Sequence, residues 1–214
     1  MRKFIANGTL GDVYLHLARI SKIKDEKVVV HHITRHHFWY PEIKSIYKVR
    51  PRTQVFFGHH PPGLKLVDKV KIEGFMDFKF CDDLSKFNLP NNYTVVSIKA
   101  GRPTLRYRFI REECWKQIID ENENIVLIGD GTSPAMKHKK VLDLTGKTTL
   151  MEAAQIVRQS SKFCGFQGFM AFVACSHKIP SQVYYRRDDD LHAIKMNIRK
   201  RGGWGKSIIE ERKG

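Results

Sequence analysis

The chain has 214 residues, and 42% of them are hydrophobic, which is enough to bury a core and excludes a largely disordered protein. No stretch approaches the roughly 18 apolar residues of a membrane span, and the basic start lacks the apolar region of a signal peptide, so we expect a soluble, cytoplasmic protein. The formal net charge of +16 indicates a negatively charged partner: a nucleic acid, an anionic membrane surface or a phosphorylated small molecule. The alternative is a basic but merely solvated surface.

The first part of the chain begins as a βαβ unit. A strand over residues 3–7 ends in a glycine-rich turn, and the apolar residues that follow, from 13 to 23, recur at helical spacing. The apolar run 27–30 is typical of a buried parallel strand. Two further β-rich runs, 53–57 and 75–80, extend this pattern, so residues 1–90 are predicted to form one Rossmann-like domain.

The segment 88–92, with a proline and paired asparagines, is the best candidate for a linker. Strands and helices then alternate again, which predicts a second parallel α/β domain over residues 91–190. The predicted strands are 93–98, 124–128, 141–144, 162–164 and 182–185, and the predicted helices are 109–120, 148–160 with Thr148 as its cap, and 168–175. The basic tail 191–214 is predicted to begin as a helix and to pack on the first domain.

The four cysteines are scattered through the chain with no CxxC pair. That spacing argues against a disulfide framework or a zinc knuckle and indicates reduced, mostly buried thiols. They are Cys81, Cys114, Cys164 and Cys175.

Ligands of open α/β sheets bind at the carboxyl ends of the strands, so the loops there are the first candidates for a site. The turn after the first strand contains Gly11 and Asp12. A carboxylate at the floor of a cleft can take a proton from an attacking hydroxyl. The competing interpretation is that Asp12 only caps the following helix and interacts with its dipole.

A basic loop follows the first strand of the second domain. Lys99, Arg102, Arg106 and Arg108 flank Gly101, near the expected start of the next helix. Cations and free backbone N–H groups together suit a diphosphate. A solvated basic loop with no ligand is the alternative.

A second glycine-rich turn lies where the strand 162–164 runs into a helix. It contains Gln167, Gly168, Phe169 and Met170. Backbone N–H groups at such a helix start can hold further phosphate oxygens, although glycine turns at strand–helix junctions are common.

Three other motifs are set aside. Gly146-Lys147-Thr148 resembles the end of a phosphate-binding P-loop, but position 141 is Val where the first glycine is required. The histidine pairs 31–32, 36–37 and 59–60 suggest metal ligands, but adjacent residues on a strand point to opposite faces, so a metal site is not predicted. The run 188–190 of three aspartates is interpreted as the charged start of a helix rather than as a metal-binding motif.

The order of these motifs resembles that of the ADP-heptose:lipopolysaccharide heptosyltransferases. Gly11-Asp12 matches the family's element after its first strand, residues 98–108 look like its Lys/Arg-rich turn, and Val126-Leu-Ile-Gly129 is similar to its next strand. The nearest match is Asp143-Leu-Thr-Gly-Lys-Thr-Thr-Leu150. Residues 164–171 resemble the family's Gly-Asn-Asp-Ser-Gly-Pro-Met-His segment, but without its acidic and histidine side chains. The likeness covers about the first 20 residues and most of 92–185.

The resemblance implies a GT-B-like α/β fold, in which two small Rossmann-like domains face a cleft. It implies a metal-independent glycosyltransferase with no cofactor besides its nucleotide-diphosphate sugar donor. Asp12 would be the general base, and the donor would bind near the other residues of the matched motifs. These are Gly11, Lys99, Arg102, Arg106, Arg108, Gly129, Lys147, Gln167, Gly168, Phe169 and Met170.

The acceptor is left open by the sequence. The family implies a lipopolysaccharide or another surface glycan, and peripheral contact with an anionic membrane would be consistent with that. A nucleic-acid acceptor, such as a modified DNA base, would account better for the net charge. The rival from another class is a non-catalytic nucleic-acid-binding protein on a Rossmann-like scaffold.

Overall fold

The computed structural model describes residues 1–7, 10–21, 23, 26–33, 40–58, 63–66, 78–100, 108–132, 137–166, 168–185 and 209–213. The chain divides into two compact units, Met1–Phe78 and Lys79–Gly214. The division falls between residues 78 and 79, whereas the sequence placed it between 90 and 91. Within the described ranges, no helix is long and apolar enough to cross a membrane.

The first unit is a parallel sheet with two helices in its described part. Its strands lie in the order β3-β2-β1-β4, and α1 packs against α2. The buried side chains of α1 include Val13, Leu17 and Ile20, which share one helical face, and Val28 to Val30 of β2 are buried on both faces of the sheet. In chain order the elements are β1 (Arg2–Asn7), α1 (Leu10–Ile20), β2 (Val28–Ile33), α2 (Tyr40–Lys48), β3 (Thr53–Phe57) and β4 (Lys65–Leu66).

The second unit is a larger parallel sheet with three α-helices and a 3₁₀ helix, Ser85–Phe87, in its described part. The short antiparallel pair of β6 and β7 is not hydrogen-bonded to this sheet. Trp115 and Ile118 of α3 pack on Val96, Leu127 and other core residues of the sheet. The elements are β5 (Thr94–Ser97), β6 (Lys99–Ala100), β7 (Arg108–Phe109), α3 (Glu112–Glu121), β8 (Ile125–Leu127), β9 (Val141–Asp143), α4 (Leu150–Gln159), β10 (Lys162–Phe166), α5 (Phe169–Ser176), β11 (Ser181–Tyr185) and β12 (Ile209–Lys213).

The strand order of the second sheet is that of the doubly wound Rossmann fold. Read as β9-β8-β5-β10-β11-β12, it places the strands in the order 3-2-1-4-5-6 of their succession along the chain, and all five neighbouring pairs are parallel. The first sheet, β3-β2-β1-β4, repeats the first four positions of the same order. The prediction of two Rossmann-like domains with parallel sheets is therefore confirmed.

The predicted helix caps and the predicted tail differ from the structure. The cap of α4 is Thr149 and not Thr148, since the Thr149 side chain accepts from the N–H of Glu152 while the Glu152 carboxylate accepts from the N–H of Thr149. The prediction that the tail packs on the first domain is wrong for residues 209–213, which pair with β11 of the second unit. The predicted strand at 75–80 is not seen at residues 78–80, and residues 75–77 lie outside the described part.

Candidate functional site

The second sheet has a topological switch point beside β5. The chain passes from β5 outward to β8 and β9, and then returns to the other side of β5 as β10. In open α/β sheets, the loops leaving the carboxyl ends of two such strands run in opposite directions and open a crevice between them. The two segments that leave these ends are β6, which lies beside β10, and the turn that leads into α5.

Gly165 allows the close contact of β5 and β10 at this edge. A Cβ atom there would lie 3.1 Å from the carbonyl oxygen of Ser97, a tight contact, and 2.8 Å from Cζ of Phe163, whose ring would have to shift. The glycine in this strand therefore favours the close packing of the two strands that border the crevice.

The start of α5 offers backbone N–H groups to a ligand. Gly168 is the N-cap residue and has no side chain with which to cap this end, and a Cβ atom there would meet nothing within 4 Å. The N-cap residue itself therefore leaves the positive end of the helix dipole without a capping side chain. Phe169 is buried and Met170 is half-buried at this helix start. Gln167, the other residue predicted in this turn, lies outside the described residues.

The described ends of the basic loop after β5 pair as the two short strands β6 and β7. Lys99 pairs with Phe109, and Ala100 pairs with Arg108. The next described helix, α3, begins at Glu112 and carries two glutamates in its first turn, so its start already faces negative charge. Gly101 lies outside the described residues, and the expectation of free amides beside it stays a prediction.

The side chains of three predicted phosphate-binding cations, Arg102, Arg106 and Arg108, are not described by the structure. Arg102 and Arg106 lie outside the described residues, between the two strands of the hairpin. The backbone of Arg108 belongs to β7, but its side chain is not described. Their predicted contact with donor phosphates stays a prediction.

The side chain of Lys99 lies between β5 and the loop that follows β8. Its Nζ atom donates to both carboxylate oxygens of Asp130, at 2.9 and 3.1 Å, and to Oγ1 of Thr132. The Lys99 side chain is only 5% exposed, whereas that of Asp130 is 60% exposed. The candidate phosphate-binding cation is thus already engaged by a carboxylate.

Asp130 is held in its ionised form by this arrangement. Burial opposes ionisation, but hydrogen bonds from Lys99 and Thr132 outweigh it, and the pKa of the Asp130 carboxyl lies below its ordinary value. The backbone N–H and the hydroxyl of Thr132 both donate to Oδ1 of Asp130, at 3.1 and 2.7 Å. These two hydrogen bonds within the turn hold the Asp130 carboxylate in its position beside Lys99.

Gly129 and Lys147 make hydrogen bonds within and between the loops that follow β8 and β9. The N–H of Gly146 donates to the carbonyl oxygen of Gly129 at 2.9 Å, which joins the loop after β9 to the loop after β8. Nζ of Lys147 donates to the backbone oxygen of Asp143 at 2.7 Å, and Thr145 donates twice to Oδ1 of Asp143. The motif that the resemblance emphasised is thus a self-contained turn at the carboxyl end of β9, with Lys147 bonded inside it.

Gly11 and Asp12 lie in the first turn of α1, just after the carboxyl end of β1. This sheet also has a switch point, because β2 and β4 flank β1 on opposite sides. As the third residue of α1, Asp12 is placed for a general base or for an interaction with the helix dipole, and it is not the N-cap residue. The side chain is not described, so the role of Asp12 stays a prediction.

Sequence reasoning missed Asp130 and Thr132, the partners of Lys99. The signal was present, since Gly129-Asp130-Gly131 directly follows a buried strand. Rossmann folds that bind dinucleotides carry an acidic residue after their second strand, and β8 is the second strand of this sheet. The strand order, which the sequence does not give, is what brings this loop next to Lys99.

The described histidines do not form a metal site. His31 stacks on Phe56 with ring centroids 5.6 Å apart, and its neighbour His32 is fully buried, so the two point to opposite faces of β2. Among the described residues, no three His, Cys, Asp or Glu side chains come together as metal ligands. The pairs 36–37 and 59–60 and the aspartates 188–190 lie outside these ranges.

No protein-family model and no curated protein sequence matches the chain. Solved structures do resemble it. A family 9 glycosyltransferase from Veillonella parvula matches with a TM-score of 0.65 at 12% identity, over 100% of this chain and 86% of that one. The E. coli ADP-heptose lipopolysaccharide heptosyltransferase II matches with a TM-score of 0.50 at 10% identity, over 86% and 85% of the two chains.

A third similar structure is TibC, an iron-containing dodecameric glycosyltransferase from enterotoxigenic E. coli. Its TM-score is 0.51 at 16% identity, and the match covers 86% of this chain but 57% of TibC. At such identities the likeness shows the fold. The chain has the GT-B-like α/β fold of these glycosyltransferases, as the sequence motifs predicted.

Proposed function

We propose that the protein transfers a sugar from a nucleotide-diphosphate sugar to a hydroxyl group of an acceptor. The observation that carries this proposal is the switch point of the second sheet, where β6 with Lys99 and the start of α5 with its N-cap glycine leave the carboxyl ends of adjacent strands. The fold, which this chain shares with glycosyltransferases, supports the same function. Fold alone does not determine function, so the proposal rests on the site.

The donor's diphosphate would bind at the start of α5. The N–H groups of Gly168, Phe169 and Met170 are suited to phosphate oxygens, and the helix dipole favours the negative charge. The arginines of the β6–β7 hairpin, Arg102, Arg106 and Arg108, would supply the countercharge. Arginine fits this task because its planar guanidinium donates two parallel hydrogen bonds to one phosphate.

The transfer itself needs one proton acceptor and a stabilised leaving group. Asp12 would take the proton of the acceptor hydroxyl, and the oxygen of that hydroxyl would form a bond to the anomeric carbon of the sugar. The bond from that carbon to the diphosphate breaks, and the nucleotide diphosphate leaves with the electron pair. Cations and helix amides would stabilise its charge, and we propose that no metal ion is required.

The acceptor we favour is a surface glycan or a lipopolysaccharide-type saccharide. A nucleic-acid acceptor is a second candidate, since a net charge of +16 favours a polyanion. A non-catalytic nucleic-acid-binding protein is the rival from another class. Binding of DNA with an affinity that falls steeply as salt is added would favour a nucleic-acid acceptor or a nucleic-acid-binding protein. Binding of acidic glycans or anionic vesicles alone would favour the surface glycan as acceptor.

The first test is calorimetric titration of the protein with ADP, GDP, UDP and CDP. The proposal expects one of them to bind, and a protein that only binds nucleic acid need not bind any. Replacing Arg106 or Arg108 by Ala should weaken that binding by about 1.5–3 kcal/mol, the usual contribution of a charge-assisted hydrogen bond. Unchanged affinity in both variants would move the phosphate site elsewhere, with Arg102 and Lys99 to be replaced next.

The second test is the Asp12→Asn variant, assayed with the sugar nucleotide of whichever base binds. A general base contributes about 10²–10⁴-fold to a rate, so transfer should fall by that factor while nucleotide affinity stays nearly the same. If the variant keeps more than roughly a third of the activity, Asp12 serves only the start of α1 and the base is another residue.

A further inference from the structure

We propose that the carboxylate of Asp130 competes with the donor's diphosphate for Lys99, so that it sets how readily the site accepts an anion. This inference rests on the proposed function, because it concerns the same crevice. It assigns Asp130 as a specificity-determining residue that opposes anion binding. A direct contact between Asp130 and the nucleotide would have the opposite effect on affinity.

The ammonium group of Lys99 has three N–H donors, and the structure shows at least three acceptors around it. Two are the oxygens of Asp130, and the third is Oγ1 of Thr132. With 5% of its side chain exposed, Lys99 presents almost no free ammonium surface to an incoming ligand. A phosphate can reach Nζ only if one of these acceptors gives up its place.

Asp130 is the acceptor that can leave. Its side chain is 60% exposed, so water can solvate the carboxylate as soon as it turns away from Lys99. The backbone on both sides is fixed, since Lys99 pairs with Phe109 in the hairpin and the loop after β8 is bonded to the loop after β9. The exchange therefore needs a side-chain rotation and no movement of the sheet.

The competition predicts whether removing the charge of Asp130 raises or lowers the affinity for an anion. While Asp130 is ionised it neutralises Lys99 and repels a phosphate, and its lowered pKa keeps it ionised at neutral pH. Removing that charge takes away a carboxylate that pairs with Lys99, so an anion binds more tightly. If Asp130 instead accepted hydrogen bonds from the ribose, as acidic residues after the second strand of Rossmann folds do, its removal would weaken nucleotide binding.

The experiment compares the affinities of inorganic pyrophosphate and of ADP, GDP, UDP and CDP for the wild type and for Asp130→Asn. We expect Asp130→Asn to bind pyrophosphate roughly two- to fivefold more tightly, the range that an ion pair with one exposed partner allows. In a Lys99→Met background, the same substitution should give no gain. Asp130→Ala repeats the measurement in case the new amide itself bonds Lys99, and circular dichroism checks that each variant is folded.

The matched control is Glu123→Gln. Glu123 precedes β8 where Asp130 follows it, and it also pairs with a lysine, Lys140, at 3.5 Å. The substitution removes the same charge from the other end of the strand, so it reports any general effect of net charge on anion binding. Its affinity for pyrophosphate should change less than that of Asp130→Asn.

The outcomes separate this inference from the proposed function. If the wild type binds a nucleotide diphosphate and Asp130→Asn binds pyrophosphate equally or more weakly, the competition does not exist. A selective loss of nucleotide affinity would make Asp130 a ribose ligand and overturn the inference while leaving the function standing. If no variant binds any of these anions, the proposed donor site is wrong, and the inference is overturned with it.

Discussion

Gly146 lies at the point where the loops after β8 and β9 touch. Its φ of +69° is in the left-handed region, and a Cβ atom there would come within 2.9 Å of the Cα atom of Gly131. We expect Gly146→Ala to lower the free energy of unfolding by more than about 1 kcal/mol, because both the backbone strain and the backbone contact oppose it. Urea denaturation followed by circular dichroism measures the change.

Gly131→Ala is the matched control for Gly146→Ala. Its Cβ atom would lie 3.8 Å from the Cα atom of Gly146, an ordinary van der Waals distance, and its φ is outside the left-handed region. The control should therefore change stability by less than about 0.5 kcal/mol, as most unstrained substitutions do. Equal effects of the two substitutions would show that the two loops do not meet as described.

The buried hydroxyl of Tyr93 should make the stability of the second unit fall at alkaline pH. It is 5% exposed, its hydroxyl donates to the carbonyl oxygen of Ile156 at 2.9 Å, and burial raises its pKa to about 12. A group with a raised pKa in the folded state contributes its full stabilisation below its unfolded pKa of about 10 and loses it as the pH rises towards 12. We expect the urea midpoint to fall across this window.

The Tyr93→Phe variant isolates this contribution from other groups that titrate in the same window. It should be somewhat less stable than the wild type at pH 8, because one buried hydrogen bond is lost. The difference from the wild type should shrink as the pH rises above about 10. A difference that stays constant up to pH 11 would mean that the Tyr93 hydroxyl is not desolvated.

At the residue scale, the sequence predicted the types of residue at the site better than what each one contacts. Lys99 was expected to meet phosphate, but its ammonium meets Asp130. Arg50, which the sequence did not single out, is buried and donates to the backbone oxygens of Glu26 and Pro51 and to Thr53. Such partners are set by tertiary contacts between distant segments, which local sequence does not contain. Part of the excess positive charge therefore serves the fold.

The capping box of α4 gives a prediction for a whole element. The Thr149 side chain accepts from the N–H of Glu152 at 3.2 Å, and the Glu152 carboxylate accepts from the N–H of Thr149 at 2.7 Å. Thr149→Ala should lower the free energy of unfolding by about 1 kcal/mol, the usual value for an N-cap threonine. Thermal denaturation of the variant measures it.

Thr148→Ala is the control for the capping box, since it changes the neighbouring threonine that the sequence suggested as the cap. It removes the same atoms without touching the capping hydrogen bonds, so its stability should stay close to that of the wild type. The reverse order, with Thr148→Ala the more damaging, would place the helix start one residue earlier.

At the element scale, the sequence predicted several strands well. The runs 53–57 and 182–185 coincide with β3, which is partly exposed, and nearly with β11, which is buried, because both are rich in the β-branched and aromatic residues that favour strands. It missed α2, whose buried Ile43, Ile46 and Tyr47 have helical spacing but follow a histidine-rich segment.

β12 could not have been predicted from its own residues, four of which are charged. It forms because β11 offers an unpaired edge and because its charges find partners across the unit. Arg212 donates to Glu210 at 2.7 Å and to Glu121 of α3 at 3.3 Å, and Gln182 of β11 donates to Glu210 at 3.0 Å. These contacts are tertiary and override the low strand propensity of the segment.

At the scale of the whole molecule, the alternation of strands and helices was enough to predict two parallel sheets. The switch points, and hence the edges where ligands are expected, follow from the strand order, which the structure supplies. The sequence placed the boundary between the domains at residue 90, whereas the compact units divide after residue 78. The chain does bend at residues 91–92, and Asn88 and Asn92 adopt positive φ values, but this segment lies inside the second unit.

The segment before that turn is bound to the helices of the second unit. The buried N–H of Phe80 donates to Oε1 of Gln155 in α4 at 2.9 Å, and the Phe80 ring meets that of His177 edge-on at 5.8 Å. Lys86 pairs with Glu152, and Phe87 is buried. A fragment that starts at residue 91 loses all of these contacts.

We therefore expect residues 79–214 to fold without the first unit, because they contain a complete six-stranded sheet and its core. The fragment 91–214 should be less stable by at least about 2 kcal/mol, since it leaves the buried amide of Gln155 without its donor and uncovers apolar surface that Phe80 and Phe87 protect. Urea unfolding of the two fragments, followed by fluorescence, compares them directly. Equal stability would place the boundary at residue 90 after all, and the absence of a cooperative transition in 79–214 would show that the second unit depends on the first.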